Sequence, residues 1–444
     1  MKLLKMCLVT AMLLIGVSTL FGGGAQEGAK GPVTVTFMVH EADLPKDFVD
    51  SFNAANPDIN LVRVETNWEK WMADAIAGTA ADMMQVNGYE IAYFVKRNLL
   101  YDMTDMMKGS KAFKMDDIDP LGNIHYQYDG TEFGKGSWYG LTKDYNNIGA
   151  VTYNLEMFKK AGISLLSTTK PITYQDEFYN LAKKLTQKDS AGNTIVFGTE
   201  IAGNWAAFLA SDMAYAEGIS YWANKEASQM NNDPKMRNIW KYWARLKVED
   251  ISSNSRNPAS GWTGAMFQSD RAAMVQLGYW FGAQLSANEG YNEKYGWAPT
   301  PILRAGSKRY TNTLGATGTA LYSKTRYPKQ AFRVFEWYNI GEYGIHRAKT
   351  GWGIPPFFSL RQHLPKDNKF HKDRLDIALE DAKYFVPFQG GLTYFAHPRS
   401  LYQNAWNAYI DQLTEGKINY DTFVDSFYAD INDALKAGKE ELGM

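Results

Sequence analysis

Short apolar runs alternate with amphipathic stretches of helical length through the first part of the chain, and this alternation narrows the possible folds more than any other feature. Val33 to Val39 (VTVTFMV) reads as a buried strand that ends at His40-Glu41. Pro45 suits the first turn of a helix whose Phe48, Val49 and Phe52 form a stripe, broken at Asn56-Pro57. Ile59 to Val64 gives a second strand, and Trp68 to Thr79 a helix with Trp68, Met72, Ala75 and Ile76 on one face. A third round follows, with Asp82 to Val86 as strand, Asn87-Gly88 as turn and Tyr89 to Arg97 as helix. Such a series predicts a mainly parallel sheet with right-handed crossovers, whose ligands bind beyond the carboxyl ends of the strands. His40, Glu41, Asn87 and Tyr89 all occupy that edge.

A chain of 444 residues exceeds one ordinary core, so two lobes are expected. Trp138 to Gly162 marks where one gives way to the other. Trp138 and Leu141, then Val151 and Tyr153, are strand-like, and the polar joint between them holds Asp144. Asn154 is placed to cap the next helix and Gly162 to close it. A strand that stops, crosses a polar joint and restarts is a candidate hinge. Beyond it, Thr173 with Asp176 has the spacing of a capping box, Ile195 to Phe197 reads as strand, and Trp205 opens a helix. Met236, Ile239, Trp240, Trp243 and Leu246 recur at helical spacing, which assigns both tryptophans to a core. Tyr295 to Ile302 (YGWAPTPI) is held extended by its prolines and reads as a second crossing, Gly315 to Tyr322 as strand. In the last helix Val424, Phe427, Ile431 and Leu435 share a face, with the end expected at Gly438.

Residues 1 to 25 have the pattern of a cleavable signal peptide: Lys2 and Lys5, an apolar run from Cys7 to Leu20, then Gly23-Gly24-Ala25. A mature chain starting near Gln26 is expected. The single cysteine of the sequence, Cys7, lies in the signal, and Gly22-Gly23-Gly24 stands where a lipobox cysteine would follow the apolar run. A soluble periplasmic protein is therefore expected, without a lipid anchor. Lys and Arg number 47 against 48 Asp and Glu, so no global field favours nucleic acid or an anionic membrane.

Enzyme signatures are absent. There is no His-Glu-x-x-His, no Gly-x-Ser-x-Gly and no cysteine nucleophile in the mature chain, and Gly130 to Gly136 departs from a phosphate loop in spacing. His40, Glu41 and Asp43 have metal-ligand chemistry but no partner cluster, so neither a metal nor another cofactor is expected. A carboxylate pair such as Glu41 and Asp144 leaves a glycosidase open as an alternative. The positive signal is aromatic: 13 Trp and 27 Tyr, many beside glycine or polar residues at strand ends. Aromatic faces stack on the apolar faces of sugar rings, while carboxylates, amides and Arg select hydroxyls.

The order of these stretches resembles the extracellular solute-binding proteins of family 1, the maltose-binding-protein-like receptors of ABC importers. The resemblance rests on VTVTFMVHEADLPKDFVDSFNAANPDINLVRVE, AGTAADMMQVNGYEIAYFVKRNLLYDM, WYGLTKDYNNIGAVTYNLEMFKKAGI, DRAAMVQLGYWFG, YGWAPTPI and EGKINYDTFVDSF, which span nearly the whole mature chain. It implies a two-lobed type II α/β fold, each lobe a mainly parallel sheet flanked by helices, with solute held in the cleft and hinge closure. The expected division is 33–143 plus about 303–352 for the N-terminal lobe and 149–297 plus about 357–444 for the C-terminal lobe, with hinges near 144–148 and 298–302. By position the resemblance assigns His40, Glu41, Asn87, Tyr89, Asp144, Trp205, Trp280, Arg399 and Tyr402 to ligand binding. Local glycine context adds Trp262 and Trp352. The expected function is a monomeric, non-catalytic carbohydrate receptor that serves the permease subunits of an ABC importer, with a sensory binding protein as a further alternative.

Overall fold

The computed structural model describes residues 31–315, 317–391 and 393–444; the expected signal segment and cleavage site lie outside them. Strand Val33–Met38 pairs in parallel with Ile59–Val64 on one side and Met83–Val86 on the other. Gly318–Leu321 joins antiparallel to Met83–Val86, and Leu141–Thr142 completes the five-stranded sheet of the first lobe. Val35, Phe37, Met83 and Leu321 are fully buried there. The inner strands Met83–Val86 and Gly318–Leu321 are buried throughout, whereas Val33–Met38 and Ile59–Val64 alternate, with Thr34 and Asn60 exposed.

In the second lobe Val151–Asn154 pairs antiparallel with both Met274–Val275 and Tyr295–Ala298. Phe197 and Glu200 add parallel bridges to Ala272 and Val275, so the sheet of this half is mixed rather than mainly parallel, with helices covering it. Helix Pro234–Val248 buries Met236, Ile239, Trp240, Trp243 and Leu246 against helix Tyr420–Glu441, where Val424, Phe427, Ile431 and Leu435 face inward. That last helix passes Gly438 without stopping. A side chain at Gly438 would lie 2.3 Å from the Tyr394 carbonyl, so its smallness serves close packing.

Between the lobes runs a small sheet ordered Phe385–Val386, Thr311–Gly315, Tyr145–Asn147. The second crossing is therefore Thr311–Gly315. The expected crossing at 298–302 stays with the second lobe, because Ala298 pairs with Val151, Ile302 bridges to Thr173 and Leu303 packs in that lobe's core. The two prolines extend this stretch without carrying it across. Asp381, fully buried, pins the crossing sheet. It accepts hydrogen bonds from Asn147 (2.8 Å), from the Thr300 amide (3.1 Å) and hydroxyl (2.8 Å), and from Arg309 (2.9 Å).

Two local readings shift by a residue. The helix Trp68–Ala77 buries Trp71 and Ala75, while Ile76 is 75% exposed and Trp68 only half-buried. Thr173 forms its reciprocal cap with Glu177 rather than Asp176, because the first turn is a π-turn that adds one residue.

Candidate functional site

A cavity of about 480 Å³ lies between the lobes, and the two walls differ in chemistry. The first lobe supplies mostly polar side chains, among them Asp43, Asn87, Lys143, Asp144, Thr317 and Arg347. From the second come Trp205, Trp262 and Trp280, with Arg399 at one end.

Each polar group follows from a strand that ends at this edge. The chain leaves strand Val33–Met38 through a single 3₁₀ turn, Glu41–Asp43, which turns Asp43 inward. Its carboxylate pairs with Lys143 and accepts from the Gln85 amide at 2.6 Å; the same amide donates to Thr317 at 2.7 Å. Burial pushes the Asp43 carboxyl up, but the Lys143 ammonium and the two hydrogen bonds outweigh it and hold the group below its ordinary value. Helix Glu342–Thr350 brings Tyr343, His346 and Arg347 to the same wall. The Arg347 guanidinium lies 4.3 Å from the Tyr338 ring and donates to the Tyr338 carbonyl at 3.1 Å, yet its Nε and Nη1 are buried without a partner among the described residues.

Asp144 lies at the start of the crossover, its side chain 6% exposed. Its Oδ1 has no hydrogen-bond partner among the described residues. Burial raises its carboxyl, only partly offset by Lys143 and Arg347. Gly353 permits this depth, since a side chain there would come within 2.4 Å of the Asp144 carboxyl. A buried polar atom without a partner costs roughly 1–3 kcal/mol.

Across the cleft, Gly278 (φ +84°) turns the chain so that the Trp280 amide donates to Asn146 Oδ1 at 2.7 Å. The crossover strand thus positions Trp280 as well as Asp144. Trp262 stands directly before helix Thr263–Gln268, where Gly264 leaves room for the indole. The three rings Trp262, Trp280 and Trp352 form a near-parallel series, with centroids 6.0 and 6.1 Å apart and planes 19° and 10° from parallel.

Eight of the eleven expected residues line this cleft: Asn87, Tyr89, Asp144, Trp205, Trp262, Trp280, Trp352 and Arg399. Three do not. His40 is exposed beside Glu65 (3.3 Å), and Glu41 is exposed beside Arg63 (3.3 Å), because the turn after the first strand sends both side chains out. Tyr402 is fully buried in the second-lobe core, one helical turn past Arg399 and stacked beside Trp240. The residues missed were Asp43, Lys143, Asn146, Thr317, Tyr343, His346 and Arg347. Lys143 and Asn146 flank Asp144 and share its polar joint, which was a readable signal. Helix 342–350 carried none, since its cleft face is no more polar than its solvent face.

Two lobes joined by a crossing sheet over a walled cleft define the class of two-lobed type II solute-binding proteins. The family model of the bacterial extracellular solute-binding proteins matches residues 39–339, more than half of the chain, and the chain belongs to that family. No curated protein matches the chain. Among solved structures, an ABC substrate-binding protein of Listeria monocytogenes in complex with cycloalternan superposes with TM-score 0.72 at 18% identity, covering 91% of this chain and 98% of that one. The sugar-binding protein MalE of Xanthomonas citri gives 0.71 at 14% identity, with 93% and 100% covered. An ABC transporter solute-binding protein of Agrobacterium radiobacter in complex with ribitol gives 0.69 at 16%, with 92% and 99% covered.

Proposed function

We propose that this chain is a periplasmic carbohydrate receptor, exported through residues 1–25, that hands a sugar or small oligosaccharide to an ABC importer as a monomer without altering it. The observation that carries the reading is the pairing of walls. Trp205, Trp262 and Trp280 oppose a polar wall of Asp43, Asn87, Lys143, Asp144, Thr317 and Arg347. Pyranose rings present an apolar face and a rim of hydroxyls that both donate and accept, which is what such walls take. Two carboxylates against three cations leave the cleft little net field, which favours a neutral ligand over a strongly charged one. Solved relatives of the same fold are described with cycloalternan, ribitol and D-mannitol bound, which supports the same class.

Glycoside hydrolysis by Glu41 with Asp144 is not supported, because Glu41 lies outside the cleft. The residual pair, Asp43 and Asp144, shares one wall, with Asp43 committed to Lys143.

Thermal shift of residues 26–444 against mono-, di- and oligosaccharides, polyols, amino acids and peptides tests the proposal. A ligand at about a hundred times its Kd adds roughly 2.7 kcal/mol. A shift confined to carbohydrates or polyols, with the ligand recovered intact, is expected. A shift from amino acids or peptides alone overturns the assignment.

A further inference from the structure

Beyond Arg399 the cleft does not end. A second compartment of about 330 Å³ shares Asn87, Tyr89 and Arg399 with the central cavity and continues between the lobes. Asn67, Trp68 and Glu69 of the first lobe line it, and His397 and Ser400 close it from the second. Trp68 stands out here, because the helix it opens buries Trp71 instead and leaves the Trp68 indole half-exposed beside the His397 ring, with centroids 6.4 Å apart. Arg399, at the junction, lies 5.6 Å from the Trp205 ring and makes no hydrogen bond or ion pair among the described residues. Arg399 lines both compartments, and its donors are unspent among the described residues.

We infer that the compartment between Trp68 and His397 is a second sugar subsite, that Arg399 bridges the two, and that the ligand is an oligosaccharide of at least two rings. This rests on the carbohydrate reading of the central cleft. A further ring stacks on Trp68 while Glu69 and Ser400 meet its hydroxyls. Because both lobes line the compartment, filling it favours the closed form through contacts a single ring cannot make.

The test is calorimetric titration of residues 26–444 with glucose, galactose, mannose and xylose and with their linear di-, tri- and tetrasaccharides. Two variants accompany the parent: Trp68→Ala, which removes the platform, and Ser400→Trp, which fills the compartment from an exposed helical position. For the sugar that binds, a chain of two or more rings is expected to bind about tenfold tighter than its monosaccharide, the scale of one added stacking contact. Both variants should erase that gain and leave monosaccharide affinity within about twofold. If the monosaccharide binds as tightly as its chains, or the variants weaken both alike, the second subsite is wrong and the receptor reading stands. If no carbohydrate binds while another solute class shifts the melting temperature, the receptor reading fails and the subsite with it.

Discussion

Trp280 and Trp352 stack across the cleft at 6.1 Å with planes 10° from parallel, although one belongs to the Gly278–Trp280 turn of the second lobe and the other follows helix Glu342–Thr350 of the first. The contact joins the aromatic wall to the chain that follows helix Glu342–Thr350.

Replacing Trp352 by Ala is therefore expected to weaken ligand binding by about 0.5–1.5 kcal/mol, the worth of one aromatic pair. Trp280→Ala should cost more, roughly 1–3 kcal/mol, because it loses partners on both sides. Calorimetry on both variants gives the order, and the reverse order would place the ligand on Trp352 instead.

Asp144 is expected to trade stability for binding. Burial raises its carboxyl, so the folded state holds the proton more tightly than the unfolded chain does, and stability falls as pH rises through the raised value. Asp144→Asn removes that loss. The ligand-free variant should melt no lower than the parent at neutral pH, while ligand affinity drops by roughly 1–3 kcal/mol. A lower melting temperature in the free variant would show the carboxylate to be stabilising.

Asp381 is fully buried and accepts hydrogen bonds from Asn147 of the crossing sheet and from Thr300 and Arg309 of the second-lobe stretch before Thr311–Gly315. Asp381→Ala leaves Arg309 buried without its partner, and breaking such a pair costs about 3–5 kcal/mol. Urea unfolding followed by far-ultraviolet circular dichroism measures it; a loss below that range would mean that Arg309 swings out to solvent.

His397 donates toward the buried Glu90 at 3.0 Å, and this bond raises the imidazole above its ordinary 6.5 against the opposing effect of burial. A raised histidine contributes stability that is present below the unfolded value and disappears as pH climbs through the folded one. The parent should lose melting temperature between pH 6.5 and the raised value, and His397→Gln should flatten that slope. Parallel slopes in the two proteins would exclude the pair as the cause.

Much of the first lobe was legible because its first strands alternate and its helices carry single stripes, so periodicity and burial agree at Val35, Phe37, Val49 and Phe52. In the second lobe the strands are short and antiparallel, and pairing such as Met274 with Tyr153 depends on partners more than a hundred residues away. Spacing carries no trace of that. At the site, tryptophans beside glycines were readable, since glycine marks the turns that expose them. Asp43 was not separable from Glu41 two residues earlier, because which carboxylate enters the cleft depends on one 3₁₀ turn. Tyr402 and Arg399, three apart on one helix, were equally plausible until packing drew the ring inward.

The division of the cleft into a polar and an aromatic wall makes the protein a bivalent binder of one small molecule. Each wall offers part of the contacts, and capture by either converts engagement of the other into an intramolecular event at high effective concentration. A solute with the right hydroxyls but no flat apolar face, or the reverse, engages one half and escapes. Discrimination therefore multiplies across the two walls, which the crossing sheet beside Asp381 holds in one molecule.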